Sequence, residues 1–196
     1  MPPKKRRKLT RPKGTRRYNK MFVLAVEGTK TELEYFYMFR YDNPAIHIEC
    51  LKSKHGASPS QVLRNMKKCL KDLELQEDDE AWLITDKDNW DDNELTVLYQ
   101  WAQTKENYHF ALSNPSFEYW LLLHFEDGKK ISNQKKCKER LKKHIPDYDK
   151  KIDPNKFKGK FHDAVRRAKE KDKPRCKDWP RNTGTTVYRI VEKFLQ

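Results

Sequence analysis

Asp86 and Asp88 stand two residues apart, directly after the apolar run Ala81-Trp82-Leu83-Ile84. A buried strand that ends in Asp-x-Asp delivers both groups to the carboxyl edge of its sheet, where open α/β sheets keep their ligands. Acids held that close repel each other, a cost that a divalent cation removes. Glu27 has the same setting, after Met21-Phe22-Val23-Leu24-Ala25-Val26, and a carboxylate at the mouth of a buried strand needs a partner. Glu118 follows a third short run, Tyr108-His109-Phe110-Ala111-Leu112, and the link Ser113-Asn114-Pro115-Ser116-Phe117. There it is either a ligand or a dipole complement in the first turn of a helix. Carboxylates without a Cys/His set select a hard, oxygen-loving ion, Mg²⁺ or Mn²⁺, and the chemistry that follows is metal-assisted phosphoryl chemistry. Glu27, Asp86 and Asp88 would hold the metal, while Glu118 or Glu32 completes the carboxylate set or carries a proton. Lys30 and Lys87, beside these acids, either neutralise a phosphate oxygen or are ordinary surface lysines. The glycine-rich and GxSxG signatures of nucleotide-cofactor enzymes and serine hydrolases are absent from the sequence.

The elements that must position these groups alternate. The run 21–26 reads as a strand buried on both faces. Glu27-Gly28 turns it, and Thr29-Lys30-Thr31-Glu32 leads into a helix over 33–39. A half-exposed strand over 45–51 follows, then a helix from Ser58-Pro59 through Leu73, with Ser58 as N-cap and Pro59 at its first position. Glu77-Asp78-Asp79-Glu80 reads as a solvated turn before the strand that ends at Asp86. Asp91 and Asp92 cap a helix running to about Thr104; strand 108–112 and helix 119–125 complete the pattern. In a parallel sheet built this way the strand ends share one side, which brings Glu27, Asp86, Asp88 and Glu118 together. His124 lies on an apolar helix and reads as a hydrogen-bonded core residue, and Trp90 and Trp179 read as core or turn packing residues ahead of platforms for stacking bases. Beyond Gly128 the spacing predicts basic helices over 132–144 and 157–171, a loop over 172–183 and a closing amphipathic helix over 184–195. The expected division is a flexible basic arm (1–20), an α/β core (21–128) and a basic helical region packed on it (129–196).

Charge follows this division. The net +14 splits into +10 for residues 1–20, −10 for 21–128, +13 for 129–177 and +1 for the rest. An acidic centre between basic flanks suits a cation site with polyanion-binding arms. The arm supplies Lys4, Lys5, Arg6, Arg7, Lys8, Arg16 and Arg17, and the C-terminal helices supply Lys142, Lys143, Arg166 and Arg167, as contacts for a nucleic-acid backbone. The Lys4–Lys8 cluster alone would also serve as a localisation signal or a solvated tail. Cys50, Cys69, Cys137 and Cys176 show no ligand spacing, so reduced thiols and a cytoplasmic protein are expected. A membrane span and a secretory signal are not expected from the apolar pattern.

The segments Glu27-Gly28-x-x-Thr31-Glu32-x-x-Tyr35-Phe36, Asp86-x-Asp88 and Ser113-Asn114-Pro115-x-Phe117-Glu118-x-Trp120-Leu121-Leu122-Leu123-His124-Phe125, with the closing Thr185-Thr186-Val187-Tyr188, resemble the RloB-like family. The resemblance spans nearly the whole chain, and the Ser-Asn-Pro segment is its most specific part. It implies a TOPRIM-like (Rossmann-like), mostly parallel sheet flanked by helices, with a strand-end Glu and a downstream Asp-x-Asp holding catalytic Mg²⁺ or Mn²⁺. It further implies a metal-dependent nuclease of a prokaryotic antiviral, abortive-infection system, encoded beside an AAA-type ATPase and acting on RNA such as tRNA, or on DNA. The other reading is a non-catalytic nucleic-acid-binding adaptor or ATPase partner whose acids are vestigial.

Overall fold

The apolar runs become strands because both their faces are covered. In the computed structural model, which describes residues 20–51, 57–87, 90–149 and 151–196, β1 (Lys20–Val26), β2 (Ile46–Leu51), β3 (Glu80–Asp86) and β4 (Tyr108–Asn114) are parallel, and β5 (Gly184–Thr185) pairs antiparallel with β4. Consecutive residues Phe22, Val23 and Leu24 are all fully buried, which is why β1 shows no polar alternation. Its side chains part instead between two cores. Phe22, Leu24 and Val26 point into one, Val23 and Ala25 into the other.

The strand order is β2-β1-β3-β4-β5. The chain moves outward from β1 to β2, then returns to place β3 on the far side of β1. The β1/β3 boundary is therefore the topological switch point of a Rossmann-like α/β sheet, where the crevice for a ligand opens.

Helices α1 (Thr31–Tyr37) and α2 (Phe39–Asp42) follow β1, α3 (Pro59–Asp72) follows β2, and α4 (Asp92–Ala102) follows β3. After β4 come α5 (Phe117–Leu122), α6 (Gln134–His144), α7 (Pro154–Phe157) and α8 (Phe161–Lys171); α9 (Tyr188–Phe194) closes the chain. Local chemistry sets the starts. The Ser58 hydroxyl accepts from the Gln61 amide with Pro59 at the first position of α3, and Asp91 forms a reciprocal capping box with Glu94 at α4. α3 and α4 cover one face, with Val62, Met66, Leu95 and Leu98 inside. The other face carries the C-terminal region: Cys137, Leu141, Phe157, Val165 and Ile190 share one core with Phe22, Tyr35 and Trp120. Helices α6, α7, α8 and α9 thus cover that face of the sheet, as their thin apolar stripes require.

Two expectations are corrected. The acidic stretch 77–80 is no solvated turn at its end, because Asp79 and Glu80 are buried. Asp79 accepts from the Met21 and Gln76 amides at 2.8 and 2.9 Å. Glu80 opens β3 and accepts from the ammonium groups of Lys20 and Lys193, both at 2.6 Å, and from the Trp82 indole at 2.8 Å. The closing helix begins later than its apolar pattern suggests. Gly184 and Thr185 pair with Asn114 and Ser113, and the Thr186 amide donates to the Leu112 carbonyl, so this stretch serves the sheet edge.

His124 is the core residue expected. Its Nδ1 lies 3.1 Å from the Trp120 carbonyl, an obligate acceptor, so that nitrogen carries the proton and Nε2 accepts from the Tyr35 hydroxyl at 3.1 Å. Burial lowers its pKa to about 3, keeping the ring neutral. Trp179 is buried against Phe110 and Tyr99. All four cysteines are free thiols. Among the described residues no helix is long and apolar enough to cross a membrane.

Candidate functional site

Glu27 and Asp86 meet across the switch point. Glu27 is the first residue beyond β1, its amide donating to the Ile84 carbonyl of β3 at 3.1 Å. The Asp86 amide in turn donates to Oε2 of Glu27 at 3.1 Å, and the Trp90 indole donates to Oε1 at 3.0 Å. Trp90, read from sequence as a packing or base-stacking residue, instead fixes the strand-end glutamate.

The neighbouring strand brings the third acid. Asp86 sits in register with Ser113 of β4, and four residues on, the Phe117 amide favours the charged form of the Asp86 carboxyl. Glu118 follows, its Oε2 accepting from the Ser116 hydroxyl at 2.6 Å and its Oε1 from the Tyr148 hydroxyl at 3.4 Å. Glu32, on α1, folds back so that Oε1 accepts from the Gly28 amide at 3.1 Å. A β-carbon at Gly28 would lie 1.9 Å from Oε2 of Glu32, so only glycine leaves this carboxylate in place.

Glu27, Glu32, Asp86 and Glu118 consequently line one cleft of about 180 Å³. Burial, and then the charges of Glu32, Glu27 and Glu118, push the Asp86 carboxyl well above the usual carboxylate range. Asp86 keeps some exposed surface of its own, but its carboxylate stands among three others. Lys30 and Lys138 also line the cleft. The Lys138 ammonium, from α6, is 3.6 Å from Oε1 of Glu118. Lys138 was not singled out by its sequence context, since nothing separates it from the other lysines of a lysine-rich helix; the same holds for Tyr148 and Ser116.

Of the other expected residues, those that the structure describes do not line this cleft. The Lys87 ammonium is held by the Trp90 carbonyl and by Asp92 at 3.2 Å, because the turn after β3 folds it back onto the start of α4. Lys142 and Lys143 are exposed on α6, with Lys142 one turn beyond Lys138 on the same face. Arg166 is exposed and paired with Asp163 and Glu170. Arg167 donates to the Leu123 carbonyl at 2.7 Å, which ties α8 to the end of α5. Asp88 and the arm residues Lys4, Lys5, Arg6, Arg7, Lys8, Arg16 and Arg17 lie outside the described residues.

The donor set suits a hard divalent cation in its chemistry: all oxygen, anionic, with one member held against ionisation by its neighbours. It is not gathered on one point. Among the described residues no three His, Cys, Asp or Glu side chains are arranged to hold a metal ion as they stand. The hydrogen bonds given above explain why, since Glu27, Glu32 and Glu118 are each turned to donors of the protein.

Over residues 22–194, nearly its whole length, the chain matches the family model described as RloB-like protein. No curated protein and no solved structure matches it.

Proposed function

The chain belongs to the RloB-like protein family, and from that premise and the carboxylate cleft we propose that it is a Mg²⁺- or Mn²⁺-dependent nuclease hydrolysing phosphodiester bonds. The observation that carries the reading is the placement of Glu27 and Asp86 on adjacent strand ends at the switch point, with Glu32 and Glu118 beside them. Glu27, Asp86 and Asp88 would hold the cation, which when bound polarises a phosphate and lowers the pKa of water. The chain's own residues do the rest. Trp90 holds Glu27 in the metal-free cleft until a cation competes for it. Ser116 and Tyr148 orient Glu118, which would carry a proton within the cleft. Lys138 and Lys30 offer positive charge to the non-bridging oxygens of a phosphate that enters it.

The basic arm and the C-terminal helices would hold the nucleic-acid backbone. The proposal extends to the family setting, an abortive-infection role in a prokaryotic cytoplasm with a co-encoded AAA-type ATPase as partner, and to RNA, tRNA included, or DNA as substrate. Incubation with total RNA and with plasmid DNA in Mg²⁺, Mn²⁺ or EDTA tests it, with cleavage of one polymer in metal and none in EDTA as the expected result.

One observation favours the adaptor reading instead, namely that the carboxylates do not converge on a single point. An adaptor would bind nucleic acid in a salt-sensitive manner, indifferent to Mg²⁺, and would cleave neither polymer.

A further inference from the structure

A second, larger cleft of about 350 Å³ opens on the edge of the sheet, away from the carboxylates. It exists because β5 covers β4 only at Ser113 and Asn114, leaving the beginning of β4 bordered by the end of α4, the loop after α8 and the face of α9. Tyr99, Tyr108 and His109 line it, each only half-buried. Tyr108 and His109 are consecutive in β4 and face opposite sides of the sheet. His109 lies against Trp82, while Tyr108, backed by Trp101 at 4.4 Å, shares its side with Tyr99. The Tyr99/Tyr108 wall under an open mouth suits a flat, unsaturated group.

The charge on its rim is positive once internal pairs are removed. Arg189 is bonded to Asp172 at 2.9 Å and Lys193 to Glu80 at 2.6 Å. Of the acids in the wall, Asp178 accepts from Arg181 at 2.7 Å and Glu192 pairs with Lys169. Arg175 and Lys177 are exposed and have no hydrogen-bond or ion-pair partner among the described residues. Two free cations beside a ring-lined cleft match a base and its phosphates.

The same loop leads from this cleft to the carboxylates. Past Arg175 and Lys177, the carbonyls of Pro180 and Arg181 accept from the Asn114 side chain at 3.2 Å. The Arg181 guanidinium then stands 3.9 Å from Asp92, the partner of Lys87. Along β4, His109 and Ser113, the register partner of Asp86, are four residues apart, roughly 13 Å at the usual strand rise. That distance matches about four stacked nucleotides at ~3.4 Å each.

We propose that this edge cleft is a holding site for a single-stranded nucleic acid, taking one unstacked base against Tyr99 and Tyr108 and the flanking phosphates on Arg175 and Lys177, a few nucleotides from the phosphodiester at Asp86. The inference rests on the nucleic-acid substrate class of the proposed function but not on its catalysis. A duplex, with its bases stacked and paired, has no unstacked base to insert.

The test uses the full chain in EDTA, so that no cleavage is required. A fluorescent oligouridylate of roughly 12 nucleotides, long enough for one such site, carries 4-thiouridine and is crosslinked and mapped. Crosslinks are expected on the peptides that contain Tyr99 and Tyr108. Replacing Arg175→Gln and Lys177→Gln together should lower the slope of log affinity against log salt by about 1.4, the value for two phosphates of a single strand. The deoxy oligonucleotide of matched length separates RNA from DNA, and a matched duplex should not crosslink there. Crosslinks confined to other surfaces, an unchanged salt slope, or displacement by polyglutamate without any crosslink in the cleft would each overturn the proposal. A chain that crosslinks as expected yet cleaves nothing in Mg²⁺ would leave this site standing and remove the nuclease reading alone.

Discussion

The backbone amide of Asp86 donates to Oε2 of Glu27 at 3.1 Å, so the ends of β1 and β3 are joined through an acid and the main chain of its neighbour. Glu27 and Asp86 are 59 positions apart in sequence, yet this bond spans only the crevice between their strands. It holds Glu27 over the switch point, within the electrostatic reach of the Asp86 carboxylate.

That crowding has a cost in the metal-free protein. Asp86→Asn, nearly isosteric and neutral, is expected to raise the metal-free melting temperature at neutral pH by a few degrees and to abolish any Mg²⁺-dependent shift. Differential scanning fluorimetry with and without Mg²⁺ checks both. A variant less stable than wild type in EDTA would contradict the repulsion.

The sign of the pH dependence follows. The Asp86 carboxyl is raised in the folded state, so the fold binds a proton that the unfolded chain releases. Its favourable contribution is present below the ordinary carboxylate pKa and is lost as pH rises through the raised value. The melting-temperature gap between Asp86→Asn and wild type should therefore close in acid and open toward neutral pH, and Mg²⁺ should stabilise wild type increasingly over that window. A gap constant with pH would count against it.

Trp90→Phe removes the indole donor to Glu27 and frees that carboxylate to turn. The half-saturating Mg²⁺ concentration in the same thermal assay should fall roughly fivefold, the equivalent of one hydrogen bond of about 1 kcal/mol. A rise in that concentration would show that the indole pre-positions Glu27 for the cation.

Glu80→Gln tests the far end of the sheet. It leaves Lys20 and Lys193 without their shared partner. Because both ammonium groups are about a third exposed, the loss should be about 2 kcal/mol, less than for a fully buried pair. Urea denaturation should show a lower midpoint at neutral pH. Since neighbouring donors hold the Glu80 carboxyl below its ordinary range against the opposing effect of burial, the wild-type advantage should vanish only as pH falls through that depressed value.

Much of the sheet was legible because its strands are buried on both faces. The runs ending at Val26 and Asp86 have no other explanation, and the acids that close them announce the sheet edge. Ser58-Pro59 and Asp91 marked their helices for local reasons that the chain itself carries. What stayed hidden depends on distant partners. Glu80 looks like part of an acidic turn until Lys193, 113 residues away, is beside it. Gly184-Thr185 continues a helical pattern and becomes a strand because β4 has an open edge. Lys138 and Tyr148 reach Glu118 only because their helical region folds back over α5, a contact that lysine-rich periodicity does not encode.

The central claim is that the acids at the switch point act on a phosphodiester through a divalent cation. The most direct measurement compares wild type with Asp86→Asn on the polymer found to be cleaved, titrating Mg²⁺ and following products by gel. The account predicts Mg²⁺-dependent cleavage by wild type and a loss of at least a hundredfold in Asp86→Asn, on the order of 3 kcal/mol of barrier, with binding in EDTA retained. Equal cleavage by the two proteins, or cleavage that persists in EDTA, would contradict it.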